Sequence, residues 1–280
     1  MDGYDLTHAQ ISAFGAHLLE EERAPGTVEK YLRDLEAFHR WLGGRPVTRE
    51  SAAAWKEALL STGHAPVTVN SMVAALNGLL GFLDWGFKVK FLKIQRRVFR
   101  DQRRELTREE YGLLVKAAQE HGKEWLALLM ETICGTGIRV SEVPYITVEA
   151  ARQGRAEVAL KGKIRVILLP GKLCRKLLKH AHKQKIASGE IFVTRSGKGL
   201  SRKQIWAEMK RLCAWAGVPP EKVFPHNLRH LFARVFYRAC RDIVRLADVL
   251  GHSSIETTRI YLLTTGAEHR RQLERLGLIS

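Results

Sequence analysis

Leu250-Gly251-His252-Ser253-Ser254-Ile255-Glu256-Thr257-Thr258-Arg259-Ile260-Tyr261 is the stretch on which the reading of this chain turns. Gly251 suits the residue just past a helix end, where the backbone must turn left-handed. Ser253 and Glu256 stand three apart, which is capping-box spacing and predicts that a second helix starts at Ser253. His252 then sits in the junction, with Tyr261 about two turns along the second helix. A tyrosine on a helix usually fills a core, and a phenol with a pKa near 10 is a weak nucleophile. The stretch gains chemical meaning only if cations arrive from elsewhere in the chain.

Upstream, Pro225-His226-Asn227-Leu228-Arg229-His230 supplies two candidates. Pro225 suits a helix start. Leu228, Leu231, Phe232, Val235 and Phe236 form the apolar stripe, so His226 and Arg229, three apart, share a face. The helix N-terminus adds its own partial positive charge, and the pair suits an anion. Further upstream, Gly135-Thr136-Gly137-Ile138-Arg139-Val140-Ser141-Glu142 ends one helix at its glycines and sets Arg139 and Glu142 three apart. Between these segments come strand signals at 156–160 and 164–169, joined by the turn Lys161-Gly162-Lys163, and a short strand at Ile191-Phe192-Val193. Spacing alone establishes only that these cations could meet a phosphate.

The first 87 residues read as helices. Val28, Tyr31, Leu32, Leu35, Phe38 and Trp41 fall near one face of a run that Gly43 and Gly44 stop, and Thr48 begins another helix. A third run, 68–85, carries Met72, Leu76, Leu79, Leu80 and Leu83. The pattern suits a helical bundle. Residues 86–104 hold eight basic residues against one acid and read as a linker along a phosphate backbone, with Lys88, Lys90, Lys93, Arg96 and Arg97 as the DNA contacts. The expected organisation is a helical domain at 1–87, a basic linker at 88–104 and a second domain at 105–280, opened by the capping-box pair Thr107 and Glu110. The fold class is mainly α with a small β-sheet.

The formal charge of +17 and pI near 10.0 point to a polyanionic partner. Residues 1–104 hold 15 basic and 12 acidic residues, while the remainder holds 31 and 17, so the second part carries most of the positive field. Cys134, Cys174, Cys213 and Cys240 form no CxxC pair, which argues against a zinc site or disulfide framework and for free thiols in a reducing compartment. With neither a signal peptide nor an apolar run near membrane-span length, the expected location is the cytoplasm, at the nucleoid, with no membrane partner.

Taken together and in this order, the motifs resemble the tyrosine recombinases, or phage integrases, of the simple two-domain Xer-like type. Thr136 to Glu142 resembles the family's first arginine box, Pro225 to His230 its His-x-x-Arg box, and Leu250 to Tyr261 its terminal histidine and nucleophile box. Lys161-Gly162 resembles the lysine of its small hairpin, with Lys163 a second candidate on the same turn. Residues 27–41 and 67–85 are similar to the amino-terminal, SAM-like core-binding helices. The resemblance implies a site-specific recombinase in which Tyr261 forms a 3′-phosphotyrosine and frees a 5′-hydroxyl. Arg139 and Arg229 would clamp nonbridging oxygens, Lys161 would protonate the leaving oxygen, and His226 would assist proton transfer or hold the phosphate. His252 would bond the phosphate, and Glu142 would orient Arg139 or His226. It implies no cofactor and no metal, double-stranded DNA with specific sites as partner, a homo-tetramer at synapsis, and accessory proteins in some members. Integration, transposition, inversion and dimer resolution stay open, as does whether 268–278, with Leu273, Leu276 and Leu278, docks as a helix in cis or on a neighbour.

Overall fold

The first helices of the chain are set by their caps. Thr7 with Gln10 and Thr48 with Ser51 form reciprocal capping boxes, while prolines occupy the first turns of the other two helices, giving α1 (His8–Glu20), α2 (Pro25–Leu42), α3 (Arg49–Ser61) and α4 (Pro66–Phe82). Gly43, at φ 58°, ends α2 in the left-handed conformation. Leu35, Phe38, Trp55, Leu76, Leu79 and Leu80 are sealed in one core, and the Phe38 and Trp55 rings meet with centroids 4.8 Å apart. Each such side chain contributes about 1.5–3 kcal/mol through burial. The computed structural model describes residues 3–95, 102–160, 163–194, 196–261, 270–271 and 274–276. It divides into two compact units, Met1–Arg96 and Arg97–Ser280.

Part of the segment expected to be linker is built onto the first unit. Asn77 donates to the Val89 carbonyl (2.9 Å) and accepts from its N–H (2.8 Å), and Asn70 brackets Leu92 in the same way. With Val89 buried by this clamp, Lys88, Lys90 and Lys93 are turned to solvent. Arg96 and Arg97 lie outside the described residues.

The second unit opens at the Thr107–Glu110 capping box with α5 (Arg108–Glu120), followed by α6 (Glu124–Thr136). A 3₁₀ segment, Val140–Tyr145, holds Pro144, and α7 (Val148–Gln153) leads into the antiparallel strands β1 (Arg155–Leu160) and β2 (Lys163–Leu168). In their register Val158 faces Arg165 and Ala156 faces Ile167. Ala156, Val158 and Ile167 turn into the core, while Ile164, Val166 and Leu168 face solvent. After α8 (Gly171–Lys183) the strand expected at 191–193 reduces to two isolated bridges, Thr147–Glu190 and Val193–Gly199. Ile191 and Phe192 are buried, but turns at Gly189 and Gly197 bracket them too closely for a ladder.

The chain continues through α9 (Arg202–Ala216), α10 (Pro225–Cys240), α11 (Ile243–Leu250) and α12 (Ile255–Arg259). The last cap differs from expectation. Gly251 N–H and His252 N–H bond back to Asp248 and Ala247, which prolongs the closing turn of α11 and moves the cap from Ser253 to Ser254. Tyr261 therefore follows the end of α12 and does not ride on it. Of the stretch 268–278, residues 270–271 and 274–276 are described, and Leu273 and Leu278 lie outside the described residues. Among the described residues, no helix is long and apolar enough to cross a membrane.

Candidate active site

Two helix C-termini make the floor of the site. Gly137 (φ 67°) ends α6 and Gly251 (φ 62°) ends α11, and their left-handed turns leave carbonyl oxygens pointing into one space. The Arg229 guanidinium fills it from α10. It donates to Gly137 O and, at 2.8 Å, to Leu250 O. Arg229 is only 1% exposed, and the partial negative charge at two helix ends offsets its desolvation. Its pKa is still lowered, by lost hydration first and the neighbouring Arg139 charge next, against support from Tyr261 and Glu142. The start of α10 is itself fastened: Asn227 donates to Arg104 O (2.6 Å) and Lys222 O (2.7 Å).

Arg139 precedes the 3₁₀ segment, where Pro144 keeps the chain from continuing as α-helix. Its backbone N–H donates to Glu142 Oε2 (2.7 Å), its Nη1 to Glu142 Oε1 (3.0 Å), and its Nη2 reaches Gly251 O at 3.5 Å. Of the two alternatives for Glu142, the geometry thus pairs it with Arg139. Its carboxylate is 2% exposed and holds a further cation, Arg165 of β2, with Nη2 at 2.9 Å. Arg165 was not singled out from sequence. The signal was available: residues 156, 158, 165 and 167 alternate onto the inward face of the hairpin, and an arginine among them needs a partner. Three guanidinium groups thus gather round one carboxylate, leaving two positive charges in excess. Burial, with Arg229 and Arg139 nearby, brings the Arg165 pKa down to about 10, so it remains a cation at neutral pH.

His252 closes one side. Its Nε2 lies 2.9 Å from Arg229 Nη2 and its Nδ1 2.8 Å from Thr258 Oγ1. Since Arg229 can only donate, Nε2 is the acceptor and the proton sits on Nδ1. Lost hydration, then the Arg229 and Arg139 charges, push the His252 pKa down to about 4. Tyr261 packs beneath, 4% exposed, its ring centroid 5.8 Å from that of His252 and 6.4 Å from that of His226. His230, the residue after Arg229 in the His-x-x-Arg box, packs edge-on to Tyr261 at 4.4 Å, and lost hydration, then His226, bring its pKa to about 3. His226 stands on the exposed rim with its pKa lowered by desolvation and by Arg229 and Arg139.

Arg139, Glu142, His226, Arg229, His252 and Tyr261 therefore gather within one unit from segments up to 122 residues apart. Lys161 lies outside the described residues, as does the side chain of Lys163; the hairpin that carries them enters the site through Arg165. One group among the described residues could hold a metal, His8, Glu36 and His39 of the first unit, with ligand atoms within 4.8 Å of one another.

Residues 104–267 match the model of the phage integrase family, and residues 11–86 that of the phage integrase N-terminal SAM-like domain. The chain belongs to the phage integrase family. It is a tyrosine recombinase by that membership, mostly helical with one small antiparallel sheet. It is 30% identical to a tyrosine recombinase XerC of Roseiflexus castenholzii, over 90% of this chain and 88% of that protein. To a tyrosine recombinase XerA of Thermococcus kodakarensis it is 28% identical, over 96% and 95%. The fold matches that of a lambda integrase solved as a tetramer bound to a Holliday junction, with a TM-score of 0.74 at 21% identity, over 93% of this chain and 78% of that one.

Proposed function

We propose that this recombinase cleaves DNA by attack of the Tyr261 hydroxyl on a backbone phosphate. The new bond is a 3′-phosphotyrosyl ester and the broken bond is P–O5′; the phenol proton passes to His226 and the leaving oxygen takes a proton from Lys161. Attack of a 5′-hydroxyl on the ester reverses the step and joins a strand. The bond energy is kept in the ester, so no nucleotide cofactor is needed. The observation that carries this reading is the convergence of Tyr261 with Arg139, Arg229 and His252 in a pocket with surplus positive charge.

The exposures support a division of labour. Arg139, with 40% of its side chain exposed, would take a nonbridging oxygen directly. Arg229 lies beneath, supplying positive charge and a contact to His252. His226 reaches the phosphate from the rim. His252 is neutral before DNA arrives; a phosphate beside Nε2 favours its protonation, turning an acceptor into a donor. Charge stabilisation of this kind is worth about 3–4 kcal/mol for one donor. Lys88, Lys90 and Lys93 would contact the DNA backbone. The partner is double-stranded DNA bearing specific sites, and synapsis takes four copies, as in the tetrameric lambda integrase complex.

The test uses nicked duplexes tiled across the DNA flanking the gene, incubated with the full chain and run on a denaturing gel. A covalent adduct is expected with wild type and none with Tyr261→Phe; Arg139→Ala should slow its formation about 10²–10³-fold. Adduct formation by Tyr261→Phe would remove Tyr261 from its role.

A further inference from the structure

One buried cation of the second unit has no part in the mechanism above. Arg165 reaches inward from β2, with 14% of its side chain exposed against 40% for Arg139. Its Nη2 donates to Glu142 Oε2 at 2.9 Å and its Nη1 points to Val249 O at 3.4 Å. The side chain packs against Gly251: a Cβ there would stand 2.5 Å from both Cδ and Nη1 of Arg165. One side chain thereby touches three segments, namely the hairpin, the arginine box through Glu142, and the turn that presents His252. Its Nε is buried with no partner among the described residues. A fold selected for stability alone would avoid that arrangement, because a buried donor left unbonded is costly.

Arg165 is poorly placed to clamp phosphate itself. Both terminal nitrogens are engaged, and little of its side chain is exposed. What it controls is the position of others. Glu142 Oε2 is shared between Arg165 and the Arg139 backbone, while Oε1 holds the Arg139 guanidinium. Gly251, against which Arg165 packs, also carries the carbonyl that Arg139 Nη2 approaches.

We infer that Arg165 is a positioning residue for strand cleavage: it anchors Glu142 so that the Arg139 fork is held ready, and it registers the β1–β2 hairpin against the His252 turn. This rests on the assignment of Arg139 and Tyr261 above.

Single-turnover adduct formation separates positioning from binding. Using the nicked duplexes that trap wild type, the rate at saturating protein and the protein concentration giving half that rate are measured for Arg165→Ala, Arg165→Lys, Glu142→Gln and the Arg165→Ala/Glu142→Gln double variant. Arg165→Ala should lower the saturating rate about 10–100-fold, the scale on which groups that orient ligands from behind act in metal sites. Half-saturation should hold near the wild-type value. Because Arg165 acts through Glu142, the double variant should be no slower than the slower single one. Arg165→Lys keeps the charge but cannot span Glu142 and Val249, so it should also be slowed, and it carries the test if Arg165→Ala shows no melting transition. A wild-type rate in either variant, losses that multiply in the double variant, or a change confined to half-saturation overturns the inference. No adduct from wild type on any flanking duplex overturns the site assignment beneath it.

Discussion

Replacing Glu142 by glutamine changes one atom and removes the carboxylate that, among the described residues, pairs with Arg139 and Arg165. The side chain accepts three charge-assisted hydrogen bonds: two on Oε2, from the Arg139 backbone and Arg165, and one on Oε1, from the Arg139 guanidinium. A glutamine oxygen in the Oε2 position keeps the first two, though each loses about half its strength once the acceptor is neutral, or about 1 kcal/mol apiece. The amide nitrogen then faces Arg139 Nη1 donor to donor, and that bond is lost. It counts at about 1.5 kcal/mol, the low end for a charged group, because Arg139 is partly exposed. The expected cost is about 3–4 kcal/mol, in line with the ~3–5 of other broken buried pairs. For a unit of this size that lowers the melting temperature by roughly 6–16 °C. Thermal unfolding of full-length wild type and Glu142→Gln, followed by circular dichroism, reads this directly. A shift under about 2 °C, less than 1 kcal/mol, would mean that the carboxylate is not the hub of the arginine cluster.

Three further outcomes follow from particular residues. His226, His230 and His252 all have lowered pKa values in the folded chain, so unfolding takes up protons below the unfolded value of about 6.5; stability should fall from pH 6.5 towards 4, by at most ~1.4 kcal/mol per unit per histidine, with the exposed His226 contributing least. Urea unfolding at pH 7.0, 6.0 and 5.0 measures it, and unchanged midpoints would refute neutral histidines. Gly137→Ala drives a Cβ into the Phe232 ring at a φ of +67°, so the strained backbone and overpacking together should cost about 2–5 kcal/mol; a melting temperature within a degree of wild type would contradict the close approach. DNA affinity should fall steeply with salt, and changing Lys88, Lys90 and Lys93 together to glutamine should reduce the log–log slope by about 2.7 if each meets a phosphate; an unchanged slope would take them off the DNA.

The helices were legible because their punctuation is local. Thr48 and Thr107 cap as hydroxyls do, and Gly43, Gly137 and Gly251 stop helices where a left-handed residue is needed. The motif residues of the site were legible as types with spacings. Their partners were less so, because those depend on tertiary packing: Arg165 answers Glu142 across 23 residues, and His230 acquires its place only when Tyr261 folds back on it. The same limit explains the misplaced cap at Ser253. Capping-box spacing was present, but the closing bonds of α11 run on through His252 and leave Ser254 as the first free position. Ile191 and Phe192 read as a strand because they are buried and apolar, although turns on both sides prevent a ladder.

The measurement that bears most directly on the account is the covalent adduct itself. Wild type and Tyr261→Phe are incubated with the same nicked duplexes, and the adduct from wild type is digested and its DNA-linked peptide mapped. The account predicts one linked residue, Tyr261, joined to a 3′-phosphate, with a free 5′-hydroxyl on the released strand. Linkage to another residue, or adduct formation by Tyr261→Phe, would contradict it.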